Sequence, residues 1–245
     1  MKFLLSILLT ATLLMSCQFK ESMVMDENGQ GRISVQIDLA EMMAFTGGFD
    51  ADSTMTKQDT IITFKDFLVE KKDSIATLPL AEQERLKALE NYALHMFIDP
   101  EAEEMLMNLY LDFDDISEAN DIFRGFEQAG ALIPGNAVNI GGDASKSDEQ
   151  VIGVKYEFKK NIFKRDSYII DQVAYQAKMD SIGPVEAFLS GVEYTLEYTF
   201  PRKIKSASVE DATFSLDGKT ISVRRKFIDY MKNPDILDLE VSLEN

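Results

Sequence analysis

The side chains able to do chemistry are few in kind. The 245-residue chain has one cysteine, one histidine and no tryptophan. His95 has no second histidine or thiol with which to share a metal, which excludes zinc and iron centres built from those ligands. It falls beside Leu94, Met96 and Phe97 in a stretch that reads as a strand, where a solvated or half-buried histidine is expected. A Ser-His-Asp triad would have to use it, and no Gly-x-Ser-x-Gly elbow supplies the serine. Gly218-Lys219-Thr220 imitates the end of a phosphate-binding loop, but Thr213 stands where the first glycine belongs. Thr220 to Lys226 also alternates as a strand instead of opening a helix, so a hairpin tip is expected. Asp112, Asp114, Asp115 and Glu118 imitate a calcium loop, with Ile116 and Ser117 at the positions that need Asp or Asn and then Gly. Asp50 to Thr54 fails in the same way, at Met55. Asp115, or Asp114 beside it, is better read as a helix N-cap. The 42 acids offer many pairs for glycosidase-like work, and spacing singles out none. No catalytic residue, metal set or cofactor is therefore expected.

The remaining reactive group is the Cys17 thiol, and its surroundings give it a task. Met1-Lys2 supplies a positive charge, and an apolar run from Phe3 to Met15 follows, broken only by Ser6, Thr10 and Thr12. A basic start, roughly 7–15 apolar residues and a small-residue cleavage region read as an export signal. A spanning helix needs about 20 apolar residues, and Gln18 and Lys20 arrive too soon. Leu14-Met15-Ser16-Cys17 ends the run and resembles the bacterial lipobox. That resemblance implies diacylglycerol on the thiol, cleavage before Cys17 and acylation of the new amino group by a chain such as palmitate. Thiolate nucleophilicity is why a cysteine is needed. A lone cysteine in an exported chain has no disulfide partner, and lipidation accounts for it. Several acyl chains, at about 0.8 kcal/mol per buried CH₂, anchor firmly. No Asp follows Cys17, which favours the outer membrane. Lys20-Glu21 resembles the charged tether that sends some Bacteroidota lipoproteins to the cell surface. Both the periplasmic face and the surface stay open.

Residues 1–16 are thus read as signal and 17–245 as one envelope domain. Loss of the signal removes only Lys2, leaving 24 basic against 42 acidic side chains, a net −18. Such a chain is repelled by nucleic acid and by anionic lipid. Its 45% apolar and 10% aromatic content is ample for a packed core.

The elements read as hairpins interleaved with helices. Phe19, Glu21, Met23 and Met25 share one face of an alternating run, and Ile33, Val35, Ile37 and Leu39 share one face of the next. Asp26 to Gly31 supplies the turn between them. A helical patch covers Ala40 to Phe45, and a polar stretch follows from Phe49 to Thr60. Helices are expected over Ile61 to Ile75 and Ala81 to Glu90. Tyr92 to Ile98 and Glu104 to Phe113 form a hairpin, and Asp115 to Ala129 a helix. Residues 131–150 form a long loop where a lobe boundary would fall. Val151 to Phe158 and Ile162 to Ile169 pair. Asp171 to Phe188 is helical with a break at Gly183-Pro184. Gly191 to Phe200 is a strand, Val209 to Leu216 and Thr220 to Lys226 flank Asp217-Gly218, and Phe227 to Lys232 is a short helix before a last strand over Ile236 to Leu243. Hairpins and helices without a βαβ rhythm predict an α+β protein, antiparallel hairpins forming a sheet with helices mainly on one face.

Asp26 to Gly31, Glu41-Met42-Met43, Phe64-Lys65-Asp66 and Lys71 to Ile75 resemble a group of uncharacterised Bacteroidota lipoproteins. Phe200 to Ile204 and Asp217 to Thr220 belong to the same likeness. The opening hairpin with the closing Phe-Pro and Asp-Gly-Lys pattern is similar to the LppM-type envelope lipoprotein domain. Together they imply an envelope-facing antiparallel domain. A non-enzymatic module is expected, binding a hydrophobic ligand, a lipid or an envelope protein; Met23, Met25, Met96, Met105 and Met107 could line an apolar groove, with ordinary core packing the favoured reading of them. The rivals are a carboxylate-dependent hydrolase of envelope glycans and a structural or assembly subunit.

Overall fold

The first hairpin forms where two alternating runs meet a turn suited to them. In the computed structural model, which describes residues 18–40, 43, 56–120, 122–123, 150–183 and 186–245, β1 (Gln18–Met25) pairs antiparallel with β2 (Gly31–Asp38). The Asp26 carboxylate accepts from the N–H groups of Asn28 at 2.8 Å and Gln30 at 3.0 Å. Gly29 takes φ 83°, a conformation that strains any residue with a side chain. Five expectations lie wholly or partly outside the described residues: the signal with Cys17, nearly all of the patch at 40–45, the acidic run at 50–54, residues 121 and 124–129 of the helix expected over 115–129, and the loop at 131–149.

The middle of the chain departs from its periodicity in one place. Gln58–Thr63 is a strand, β3, and helix begins only with α1 (Phe64–Glu70), followed by α2 (Lys72–Ile75) and α3 (Leu80–Lys87). Thr60, Ile61, Ile62 and Thr63 are all β-branched and suit a pleated surface. They pair with the edge of β4 (Tyr92–Asp99), which continues through a hairpin into β5 (Glu104–Phe113). Within the stretch expected to be helical over 115–129, Ile116–Ala119 is a 3-10 turn. Asp115 caps it as anticipated, accepting from Ser117 N–H while Glu118 accepts from Asp115 N–H.

The second half supplies β6 (Ile152–Lys159), β7 (Ile162–Ile169), α4 (Gln172–Ser181), α5 (Glu186–Leu189) and β8 (Glu193–Thr199). The expected break falls between α4 and α5. A strand that periodicity did not reveal follows, β9 (Ile204–Ala207). The run over 209–216 contracts to β10 (Thr213–Phe214), because Glu210 and Asp211 interrupt any apolar alternation. Then come β11 (Thr220–Lys226), α6 (Phe227–Lys232), a 3-10 turn at Pro234–Leu237 and β12 (Leu239–Leu243). Gly218, at φ 70°, closes the β10–β11 hairpin, so the phosphate-loop imitation is a turn.

The class is α+β with antiparallel hairpins, as predicted, and the strands divide over two sheets. The larger runs β10-β11-β8-β1-β2-β5-β4-β3 and the smaller β6-β7-β12-β9. Every described neighbouring pair is antiparallel except β1 with β8, which is parallel. Parallel neighbours need a long connection, and here most of the chain is that connection. Apolar residues from both sheets share one core, including Met23, Leu109, Tyr156, Phe163, Tyr198 and Val241.

Candidate functional site

Alternation along β1 puts Phe19, Glu21, Met23 and Met25 on the inward face, so a carboxylate is carried into an otherwise apolar layer. An unpaired buried charge is prohibitively costly, and the opposing sheet supplies the answer. Arg165 on β7 sits between Phe163 and Ser167, all three inward and buried. Its Nε donates to both Glu21 oxygens at 3.2 and 3.3 Å, and its Nη2 to Glu21 Oε2 at 3.0 Å. Both side chains have 0% exposure.

Three tyrosines complete the cluster. Tyr156 on β6 donates its hydroxyl to Glu21 Oε1 at 2.7 Å, and Tyr194 on β8 donates to Oε2 at 2.7 Å. Tyr198, two residues further along β8, donates to Oε1. The rest of the guanidinium is also engaged, with Nη1 donating to Ser167 Oγ at 2.7 Å and to the Leu237 carbonyl at 3.1 Å. Ser167 N–H in turn donates to Asp238 Oδ1 at 2.8 Å. One carboxylate thus ties together β1, β6, β7 and β8.

The electrostatics follow from this geometry. Burial alone would raise the Glu21 pKa, but the Arg165 charge and the hydrogen bonds from Arg165, Tyr198 and Tyr156 outweigh it, leaving it lowered. Burial and then the Glu21 charge push Tyr156, Tyr194 and Tyr198 well above the usual phenol value. For Arg165 burial opposes the charge, and Glu21 with the tyrosines more than offsets it. Glu21 is held ionised and the tyrosines protonated, with no oxygen turned toward solvent. Chemically the arrangement is a lock between sheets.

The alternation of β1 by itself places Glu21 on the inward face and does not name its partners. The legible signal was a lone charge within an apolar alternation. Lys20-Glu21, which resembles a charged tether, lies within β1: Lys20 pairs with Glu197 at 2.9 Å on the outer face, and Glu21 lies in the core. The strand methionines Met23, Met25, Met96, Met105 and Met107 are core residues with at most 7% exposure, so they line no open groove. His95 is half-buried on β4, its Nε2 2.7 Å from Asp59 Oδ1. The carboxylates of the calcium imitation are separately engaged: Asp112 by Arg32, Asp114 by the Gln30 amide, and Asp115 and Glu118 by backbone N–H groups. Among the described residues no group of three or more metal-ligating side chains converges, and no helix is long and apolar enough to cross a membrane. Cys17 lies outside the described residues.

No family model and no curated protein matches the chain. It is similar over nearly its whole length to the NMR structure of the folded domain of Mycobacterium tuberculosis LppM. The TM-score is 0.40 and the identity 6%, over 94% of this chain and 90% of that one.

Proposed function

We propose that the protein is a lipid-anchored, non-enzymatic module of the cell envelope. Residues 1–16 direct export, Cys17 carries the lipid, and residues 17–245 act as one α+β domain at the outer membrane, engaging a hydrophobic ligand, a lipid or an envelope protein. The observation that carries this reading is where β1 begins. Gln18 is already in strand, Phe19 packs against the core and Glu21 is locked within it. A lipid on Cys17 then holds the folded domain with no linker between. The non-enzymatic reading draws on the same place, since the buried convergence of polar side chains among the described residues, Glu21 with Arg165 and three tyrosines, is sealed from any substrate. With the strand methionines inside the core, contacts fall to surface residues.

Metabolic labelling of the full-length chain with a palmitate analogue, followed by membrane fractionation, tests the anchor. Label and membrane association are expected together in the native chain, and both should vanish in Cys17→Ser. Label that survives the substitution, or a native chain recovered unlabelled in the soluble envelope fraction, would overturn the reading.

A further inference from the structure

Two exposed aliphatic side chains lie at the end of the molecule where β1 begins. Ile170 is 47% exposed and Val173 81%, flanking Asp171 where β7 passes into α4. Their position along the sandwich follows from contacts across it. β8 is parallel to β1, with Tyr194 beside Phe19 and Tyr198 beside Met23. On β7, Phe163 meets the rings of Tyr198 and Phe200, whereas Arg165 meets Tyr194 and Tyr230. The chain of β7 therefore advances toward the end from which β1 starts. Glu21 and Arg165 are level because they bond. At about 3.4 Å per strand residue, Gln18 lies ~10 Å from that level and Ile170 ~17 Å, in the same direction. The helices agree, since Tyr175 of α4 donates to the Met231 and Lys232 carbonyls of α6, and Phe227 of α6 stacks on Phe19 with ring centroids 4.3 Å apart.

This end is not uniform. Asp38 closes β2 beside Leu106, so the β4–β5 hairpin also points this way and carries Asp99, Glu101, Glu103 and Glu104. Asp99 is ion-paired with Lys57, but desolvating the exposed Glu101, Glu103 and Glu104 against a bilayer is unfavourable, whereas two exposed aliphatic side chains gain by it.

We infer that Ile170 and Val173 form a shallow contact with the bilayer that holds the lipid on Cys17, tilting the domain so that α4 faces the membrane and the β4–β5 hairpin faces away. The inference rests on the anchor proposed above. The occupant is a lipid surface because the tether leaves this end no distance from one. At the opposite end, Leu216 at the β10–β11 tip is fully exposed and cannot reach the same membrane.

The test uses the mature lipidated chain in phosphatidylcholine vesicles. Acylation consumes the only native thiol, so Ile170→Cys, Val173→Cys, Ala102→Cys and Leu216→Cys each offer one site for an environment-sensitive fluorophore. Labels at 170 and 173 are expected to brighten several-fold with a blue shift and to be quenched by spin-labelled lipid. Labels at 102 and 216 should keep their emission in water. A chain that floats with vesicles while 170 and 173 match 216 overturns the contact alone. A chain with Cys17 intact that fails to float overturns the anchor, and the contact with it.

Discussion

Two arginine–carboxylate pairs in this molecule have nearly the same geometry and opposite surroundings. Arg165 and Glu21 meet between the sheets with no exposure. Arg32 and Asp112 meet on the outer face of β2 and β5, with Nε and Nη2 at 2.6 and 2.7 Å from the two carboxylate oxygens and more than half of each side chain in water. Arg32 also lies 4.4 Å from the Tyr110 ring centroid. By distance alone the outer pair is the tighter. Burial reverses the ranking of consequences, because water can replace either partner outside and nothing can replace either partner within.

Removing one buried partner gives the largest expected effect. Glu21→Ala or Arg165→Ala should each cost about 3–5 kcal/mol of folding stability, measured by denaturant unfolding, because each strands a charge. The combined Glu21→Leu with Arg165→Met should recover most of that loss, since apolar replacement of a buried pair is often neutral or favourable. A double variant as damaged as the sum of the singles would show that the two charges are not coupled and that their losses come from other contacts.

The next effect is the pH dependence of stability. Glu21 has a lowered pKa in the folded state, so the unfolded chain binds the extra proton first. Its contribution is complete above the ordinary glutamate value of about 4.3 and is lost as pH falls below it. Tyr156, Tyr194 and Tyr198 are raised, so theirs is complete below about pH 10 and lost as pH rises beyond. Thermal melts should show a plateau between these limits, and the acid limb should flatten in the Glu21→Leu, Arg165→Met double variant. An unchanged acid limb there would assign acid sensitivity to other carboxylates.

Removing one donor sharpens the contrast further. Tyr198→Phe leaves Glu21 with Arg165, Tyr156 and Tyr194, and the loss should be about 1.5–3 kcal/mol, as for a hydrogen bond to a charged group. A cost near zero would mean that the remaining donors suffice. The outer pair should move least. Arg32→Ala or Asp112→Ala is expected to cost under about 1 kcal/mol and to fade in high salt. A larger, salt-independent loss from Arg32→Ala alone would transfer the credit to its packing on Tyr110.

Much of this is legible in the sequence. Period-two alternation and turn chemistry located β1 with β2, β4 with β5, β6 with β7, and the β11 edge of the last hairpin, because both signals are local. The Asp115 cap was legible for the same reason. Edge strands were harder: β3 borrows its conformation from a neighbour, and β9 is only four residues long. The candidate cluster was half visible. Glu21 stood out of pattern, but its partner lies 144 residues away, and nothing near either residue names the other.

The sequence by itself determined which face each strand buries, where the chain turns, and the basic, apolar and cysteine succession at its start. Each depends on residues within a few positions of one another. Only the tertiary structure decided that β1 sits between β2 and β8, that the strands separate into two sheets, and that Glu21 meets Arg165 with three tyrosines. Alternation says that a side chain points inward and is silent about what it will meet. That choice falls to packing, because a charge carried into the core is tolerated only in the arrangement that brings it every partner at once.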